Sequence, residues 1–521
     1  MRNYPPIPSK EIAISKPPIA TGPTKYGKWI LLATILGSSM AFIDGTIVNI
    51  ALAAIQDALH ASINQLQWIV EAYALTLAAL LIIGGSLGDI YGRRLIFLIG
   101  ILIFTVASIV CGFAVTMIQL IIARAIQGIG AALLVPGSLA LISAAFSEEQ
   151  RGQAIGTWAG FTSIMTAGGP ILGGWLVQHA SWRWIFFLNA PLAMIVFIVT
   201  LMYVEESKNE QLSGKLDIAG SLLLIIGLGA IIFGLIEWQN QLRVIFYTEI
   251  LGVCALLGFF WVEVKTPSPM LPLKIFRSRN FSAANMLTFF LYFPLYGVLF
   301  FLPLDLIQIQ GYTATQAGAA LLPLILLIFL LSRWSGGLVK QIGPRLPLVI
   351  GPALAALGYA LFIPANRIDS YWLGFFPATT MLGLGMAISV APLTTVVMSS
   401  IPENYVGAAS GVNNAISRIA GLLAVAVLGL VMAMVFNQQL EERLKNSPLA
   451  IPAKQEIITQ KNRLADIKTN NPTAHHIIRE SFIDAYEKAI WAAVILALMS
   501  SLTAAVFICN KLTKDQIPTD S

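Results

Sequence analysis

Fourteen apolar runs dominate this chain: 29–53, 66–87, 95–115, 117–142, 153–178, 184–204, 216–238, 244–264, 281–303, 313–334, 346–364, 372–396, 405–436 and 489–509. A helix needs about 20 such residues to cross the hydrocarbon core of a bilayer. Backbone groups in lipid must be satisfied within the segment, so runs of this length read as helices. The expected fold class is therefore an all-α polytopic membrane protein with 14 spans. Composition agrees. The hydrophobic share is 57% and the charged share 11%, against about 25% charged in soluble domains. So few charges cannot coat a water-soluble surface over 521 residues.

An even number of spans puts both termini on one face. With the termini cytoplasmic, more than half of the 32 basic residues fall in the tails and inner loops, among them Lys25, Arg93, Arg94, Arg151, Lys274, Lys340, Arg345, Lys511 and Lys514. Short outer loops keep only Arg183, Arg243 and Arg367. Basic residues gather on the cytoplasmic side, so a multi-pass protein of the cytoplasmic (inner) membrane is expected, with cytoplasmic tails at 1–28 and 510–521. The first tail reads as disordered. The first run keeps an aspartate and exceeds a signal-peptide core, so it reads as a retained span. Cys111, Cys254 and Cys509 show no metal or disulfide spacing, and neither do His60, His179, His475 and His476. The net charge of +6 is spent on topology and implies no nucleic-acid partner.

The chain repeats itself. "GGSLGDIYGRRLIFLIG" begins at Gly84 and "SGGLVKQIGPRLPLVIG" at Ser335. Gly85, Leu87, Gly92, Arg94, Leu95 and Gly100 match Gly336, Leu338, Gly343, Arg345, Leu346 and Gly351 at an offset of 251. Gly128, Gly130, Glu148, Gly152 and Gly156 match Gly383, Gly385, Glu403, Gly407 and Gly411 at an offset of 255. Two six-span halves follow, 29–204 and 281–509, with two further spans within 205–280. Parallel repeats of this kind rock about a shared central site.

Within this frame the motifs resemble the major facilitator superfamily, in particular its 14-span drug:proton antiporter branch (EmrB/QacA type). "FIDGTIVNIAL" resembles that branch's span-one aspartate motif, "GSLGDIYGRR" (85–94) its loop between spans two and three, and "RAIQGIGAALLVPG" (124–137) its span-four arginine motif. "GGPILGGWL" (168–176) resembles the span-five antiporter motif and "WRWIFFLNAP" (182–191) the entry to span six. The resemblance implies two six-helix bundles with two extra linker helices, and proton-coupled export of small amphipathic or cationic compounds, driven by the proton gradient without a cofactor. It also raises a periplasmic adaptor and an outer-membrane channel as partners. The chain departs from the pattern at Ala53, Ile90, Lys340, Pro344 and Asp305.

Charges inside the runs carry the functional reading. A charged side chain at a span's centre costs roughly 2.5–3.5 kcal/mol. Asp44 has the small neighbours Gly37, Ala41 and Ala51 on its helical face, which fits a protein contact rather than lipid. From helical rise, Asp44, Glu71 and Arg124 sit about 14, 8 and 10 Å below the outer ends of their spans. They are expected to share one layer, with Arg124 holding a carboxylate. Asp44 reads as the proton carrier, and Glu71 and Arg124 as groups that set its proton affinity. The competing reading is structural: Asp44 as a hydrogen-bonded acid, Glu71 as a hydrated interfacial one, Arg124 as a helix clamp. Arg418 either meets substrate or bonds to Asn413 and Asn414. Gly85, Asp89, Gly92, Arg93 and Arg94 form a tight inner gate loop, which the resemblance makes a latch through charge pairs and a neighbouring helix N-terminus. Its plainer reading is a basic anchor. Pro170, flanked by Gly169, Gly173 and Gly174, is expected to break span five.

Three leads fail on inspection. "GPTKYGKW" (22–29) lacks the magnesium-binding hydroxyl of a phosphate loop, since Trp29 stands there. "GIGAAL" lies inside an apolar run, and no histidine pair has metal spacing. The outer stretch 437–488 is expected to be a solvated loop, with Ile477, Phe482, Ile483 and Tyr486 forming a short amphipathic lead into the last span. Two readings compete with drug export: a dedicated exporter of one metabolite or amino acid, and a non-transporting receptor or scaffold. An enzyme fits least.

Overall fold

In the computed structural model, residues 26–146, 148–208, 217–237, 242–266, 273–368, 370–401 and 406–510 are described. The expectations on Lys25, Lys511, Lys514 and most of both tails lie outside them.

The chain forms α1 (Gly27–Leu59), α2 (Ile63–Tyr91), α3 (Arg93–Phe113), α4 (Met117–Ala145), α5 (Glu148–His179), α6 (Trp184–Phe187), α7 (Asn189–Tyr203), α8 (Ile218–Ile236) and α9 (Leu242–Lys265). It continues as α10 (Arg279–Leu304), α11 (Ala314–Ala320), α12 (Leu322–Ile342), α13 (Arg345–Ala365), α14 (Phe375–Ser399), α15 (Val406–Lys445), α16 (Ile451–Thr459) and α17 (Pro472–Phe507). Each expected apolar run lies on one of these helices or on an adjoining pair. Among the described residues, 12 helices are long and apolar enough to cross a membrane. The bent α2 makes 13, its two parts meeting at 50° between Leu81 and Ile83. α5, diluted with glycine, threonine and serine, is the run left over from the expected 14.

Local chemistry sets the ends. Ser62 caps α2 in a reciprocal box with Gln65, Thr313 does the same for α11 with Gln316, and Thr116 and Ser278 cap α4 and α10. The α2–α3 turn needs Gly92 at φ +120°, and the α12–α13 turn needs Gly343 at φ +78°. These two glycines are the pair that the 251-residue offset matched. A side chain would strain the backbone at either one.

Helix faces sort by solvent. On α3, Leu95, Ile99, Leu102, Val106, Val110 and Phe113 are exposed, while Phe97, Ile101, Phe104 and Cys111 are buried. The exposed stripe has helical period and is the surface expected against acyl chains. The duplicated glycines pack alike. Gly130 of α4 lies so close to α3 that a Cβ would come 2.5 Å from Phe104 N, and Gly385 of α14 would come 2.4 Å from Ala355 N of α13.

Two expectations change here. α5 runs through Pro170 without breaking. The proline leaves the Thr166 carbonyl without its intrahelical donor, and Thr46 Oγ1 of α1 reaches that oxygen at 3.4 Å. A neighbouring helix thus takes up the freed acceptor. The second change concerns 437–488, which is mostly helical rather than a solvated loop. α15 extends to Lys445, α16 follows, and α17 begins at Pro472. Ile477, Phe482, Ile483 and Tyr486 are buried on α17. Between α16 and α17, a turn at Lys461–Asp466 forms a strap that buries Leu464 and Asp466. Leu464 has φ +53°, a conformation disfavoured for a branched residue.

Contacts between the first seven helices and the helices from α10 onward include a group on the face where α1 ends, here the far face. Gln56 of α1 donates to the Arg463 carbonyl of the strap at 3.0 Å and accepts from Gln308 at 2.9 Å. Gln67 of α2 donates to the Val425 carbonyl of α15 at 2.7 Å. Gly174 of α5 lies against α11, where a Cβ would stand 2.3 Å from the Ala314 carbonyl oxygen. Gly174→Val should therefore lower the unfolding temperature in detergent, with a cost of roughly 1–3 kcal/mol from overpacking. Gly168→Ala, where a Cβ meets nothing within 4 Å, should leave it unchanged.

A buried ion pair among six helices

Asp44 is fully buried on α1 and Arg124 is 1% exposed on α4. They form a direct ion pair, Arg124 Nη1 to Asp44 Oδ2. The other carboxylate oxygen, Oδ1, accepts from Gln127 Nε2 at 2.9 Å and from Asn189 Nδ2 at 3.4 Å. Arg124 also donates from Nε to the Ile69 carbonyl of α2 at 3.1 Å and from Nη1 to Gln127 Oε1 at 2.8 Å. Its guanidinium lies 4.2 Å from the centre of the Tyr73 ring, a cation–π contact. Tyr73 in turn donates to the Ala41 carbonyl of α1 at 2.9 Å. Asn189 donates to Ser108 Oγ of α3 at 2.9 Å, and Ser108 to the Phe186 carbonyl of α6 at 2.8 Å. Two charges thus gather donors and acceptors from α1, α2, α3, α4, α6 and α7.

The helix register explains the convergence. Gln127 follows Arg124 by three residues and so shares its face. Asn189 opens α7, where the short α6 ends. The sequence marked neither residue, although both lie inside the quoted motifs, and a polar amide in a membrane-buried motif was the signal available.

Glu71 does not join the pair. It is 1% exposed on α2, and neither carboxylate oxygen has a hydrogen-bond partner among the described residues. The expectation that three charges act as one cluster is therefore corrected: Arg124 is already matched by Asp44. Arg418, half-buried on α15, comes within electrostatic reach of Tyr73. It does not bond to Asn413, whose amide goes to Asn285 Oδ1 at 3.1 Å and Thr288 Oγ1 at 2.7 Å.

The glycine-rich turn at Gly92 also differs from expectation. Asp89 pairs with Arg93 at 2.8 Å on the same turn and reaches no neighbouring helix N-terminus among the described residues. Glu206, just past α7, takes that role. Its carboxylate accepts from Arg94 N and Leu95 N, each at 3.0 Å, at the start of α3. An anion is favoured there by the unsatisfied amides and the helix dipole. Arg93 N donates to the Ser207 carbonyl at 2.9 Å, and Arg94 Nη2 to the Leu201 carbonyl at 2.9 Å. All these partners belong to α2, α3, α7 and the segment after it.

Removing one member of a buried pair leaves an uncompensated charge. Arg124→Gln should destabilise the protein by about 3–5 kcal/mol in detergent unfolding, and adding Asp44→Asn should recover part of that loss. Equal stability of the single and double variants would show that the pair is not coupled.

The chain matches the Major Facilitator Superfamily model over residues 34–425. It is 37% identical to multidrug resistance protein Stp of Mycobacterium tuberculosis, over 85% of this chain and 82% of that protein. It is 35% identical to the tetracenomycin C resistance and export protein of Streptomyces glaucescens, over 77% of this chain and 75% of that one. A crystal structure of a bacterial homolog of the human lysosomal transporter Spinster, inward-facing and unoccupied, superposes with a TM-score of 0.68 at 18% identity, over 93% of this chain and 98% of that chain. Fold, motifs and relatives agree, and the chain belongs to the Major Facilitator Superfamily.

Proposed function

We propose that this protein is a proton-coupled exporter of small amphipathic or cationic compounds, drugs among them, that works by alternating access. In this reading α5 is the fourteenth span, both termini are cytoplasmic, and the far face is the outer one. Residues 29–204 and 281–509 are the two six-helix bundles, and α8 and α9 are the extra pair between them. The names of the relatives support drug resistance and export. The observation that carries the coupling is the buried Asp44–Arg124 pair.

Protonating Asp44 removes the charge that holds Arg124. A buried guanidinium without its counterion is costly, so the helices that share the network must rearrange. The Arg124 guanidinium, a donor that takes up no proton, is then left to favour loss of the Asp44 proton to another base through its charge or to seek another acceptor. Arg418 and Glu71 stand near the α2–α15 contact, where the two bundles meet and a cationic cargo meets charged side chains. The far-face contacts of Gln56, Gln67 and Gly174 support a state closed to the outside. In this state the turn of Asp89, Arg93 and Arg94 engages no group of the C-terminal bundle among the described residues. A periplasmic adaptor and outer-membrane channel rest on the sequence resemblance alone.

Each proton moving down 100 mV supplies about 2.3 kcal/mol, which is more than a tenfold gradient of a neutral cargo. A narrower cargo range is a second reading, because relatives include a methylenomycin A resistance protein of Bacillus subtilis and a puromycin resistance protein of Streptomyces alboniger. Flux of several labelled cations and neutral compounds from inverted vesicles separates the two. In the same assay Asp44→Asn should abolish proton-driven accumulation while inserting normally in the membrane. Undiminished accumulation by that variant would remove Asp44 from the mechanism.

A further inference from the structure

The central pair leaves another buried acid unexplained. Asp305 follows Pro303 at the far-face end of α10, where the backbone widens into a π-helical turn, Asp305–Ile309. It is 0% exposed, and neither carboxylate oxygen has a hydrogen-bond partner among the described residues. Two side chains of α17, Arg479 and Tyr486, come within its electrostatic reach, as does Tyr312 just after the turn. Arg479 Nε and Tyr486 Oη are also buried without partners. The other charges nearby are already matched. On α17, Asp484 takes Arg443 at 2.6 Å and Glu487 takes Arg367 at 3.1 Å. On the strap packed against the turn, Arg463 pairs with Asp466, and Lys468 bridges Asp57 of α1 and Asp466 at 2.9 and 3.1 Å. An acid and a guanidinium within reach of each other, both with free polar atoms, mark an interaction that this conformation does not make.

The same turn holds the far-face seal. Gln308, three residues after Asp305, makes the contact to Gln56 of α1. With Ile307 it also lines a cavity of about 380 Å³ beneath the strap, together with Asp57, Lys468 and His475. π-helical turns in helices often sit at functional sites, and this one ties a buried acid to a cross-bundle contact. Turning Asp305 toward Arg479 rotates the segment that carries Gln308.

We infer that Asp305 is a second proton-binding site, served from the outer face, whose ionisation unlocks that face. The neutral acid tolerates burial without a partner and keeps Gln308 on Gln56. Once its proton leaves toward the outer face, the carboxylate pairs with Arg479 and the turn swings away from α1. The sealed state binds the proton more tightly than the open one. External acid therefore favours the sealed state and external alkali the open one. This inference rests on the alternating-access reading but not on Asp44 as the proton carrier.

The test uses full-length protein in nanodiscs with Asp44→Asn and Glu71→Gln, which removes the other membrane acids discussed. Spin labels go on Val115→Cys and Leu373→Cys, both exposed at far-face turns, with Cys254 and Cys509 replaced by serine. Pulsed electron resonance should show the long-distance fraction rising several-fold between about pH 5.5 and about pH 9, a range that spans a displaced carboxyl titration. Adding Asp305→Asn should abolish the rise and hold the short distance, Asp305→Glu should keep it, and Arg479→Gln should move its midpoint to higher pH. An unchanged rise with Asp305→Asn overturns the inference, as does an unmoved midpoint with Arg479→Gln should the first variant not fold. Two populations that ignore pH in the parent overturn Asp305 alone. One population at every pH, in wild type as well, overturns alternating access too.

Discussion

A charge pair sealed away from water inside a bilayer has to be neutralised within the protein, and the first seven helices are arranged around that need. Asp44 has one oxygen for Arg124 and one for two amides, and Arg124 has donors for α2, α4 and α1. A buried pair of this kind adds little net stability compared with well-packed apolar residues. Its value lies in bistability. With the aspartate charged the arrangement is satisfied, and with it neutral the arrangement is not. Transport needs such a conditional structure, because a proton can bias the protein only by binding one conformation better than another.

The glycines and prolines give that pair a frame that can move. Close helix approaches at Gly130 and Gly385 make each bundle rigid, and they recur at matched positions of the repeat. Between the first seven helices and those from α10 on, Gln56, Gln67 and Lys468 add polar links on the far face, close backbone approaches occur at Gly174 and Gly318, and one apolar core runs through both sets of helices. A rocking motion about a central site has to part that core as well as the polar links.

Much of this was legible in the residues. The apolar runs placed the long helices among the described residues, because lipid leaves the backbone few other choices. Among the pairs that the offset of 251 matched are Gly92 and Gly343, two turn glycines with positive φ. Asp44 and Arg124 stood out because charge inside an apolar run demands a partner. Depth alone could not say which carboxylate Arg124 would choose. Helical rise gave Glu71 and Asp44 similar depths, while rotation about the helix axes, set by packing, sent Glu71 elsewhere. Glu206 was missed because a glutamate after a span looks like ordinary solvated charge until α3 is seen to begin beside it. The stretch 437–488 misled because its charges are balanced and its apolar residues sparse. Many of those charges pair with one another across α15, the strap and α17, and apolar residues such as Leu464, Ile477, Phe482 and Tyr486 are buried.

The central claim is that a proton on Asp44 and the charge of Arg124 exclude each other's satisfaction, so that cargo binding and proton release are linked. Proton release from purified protein in weak buffer, recorded as a monovalent organic cation such as ethidium is added, tests this directly. The account predicts that wild type releases protons in step with binding and that Asp44→Asn binds ethidium without releasing any. Equal release by both proteins would contradict it.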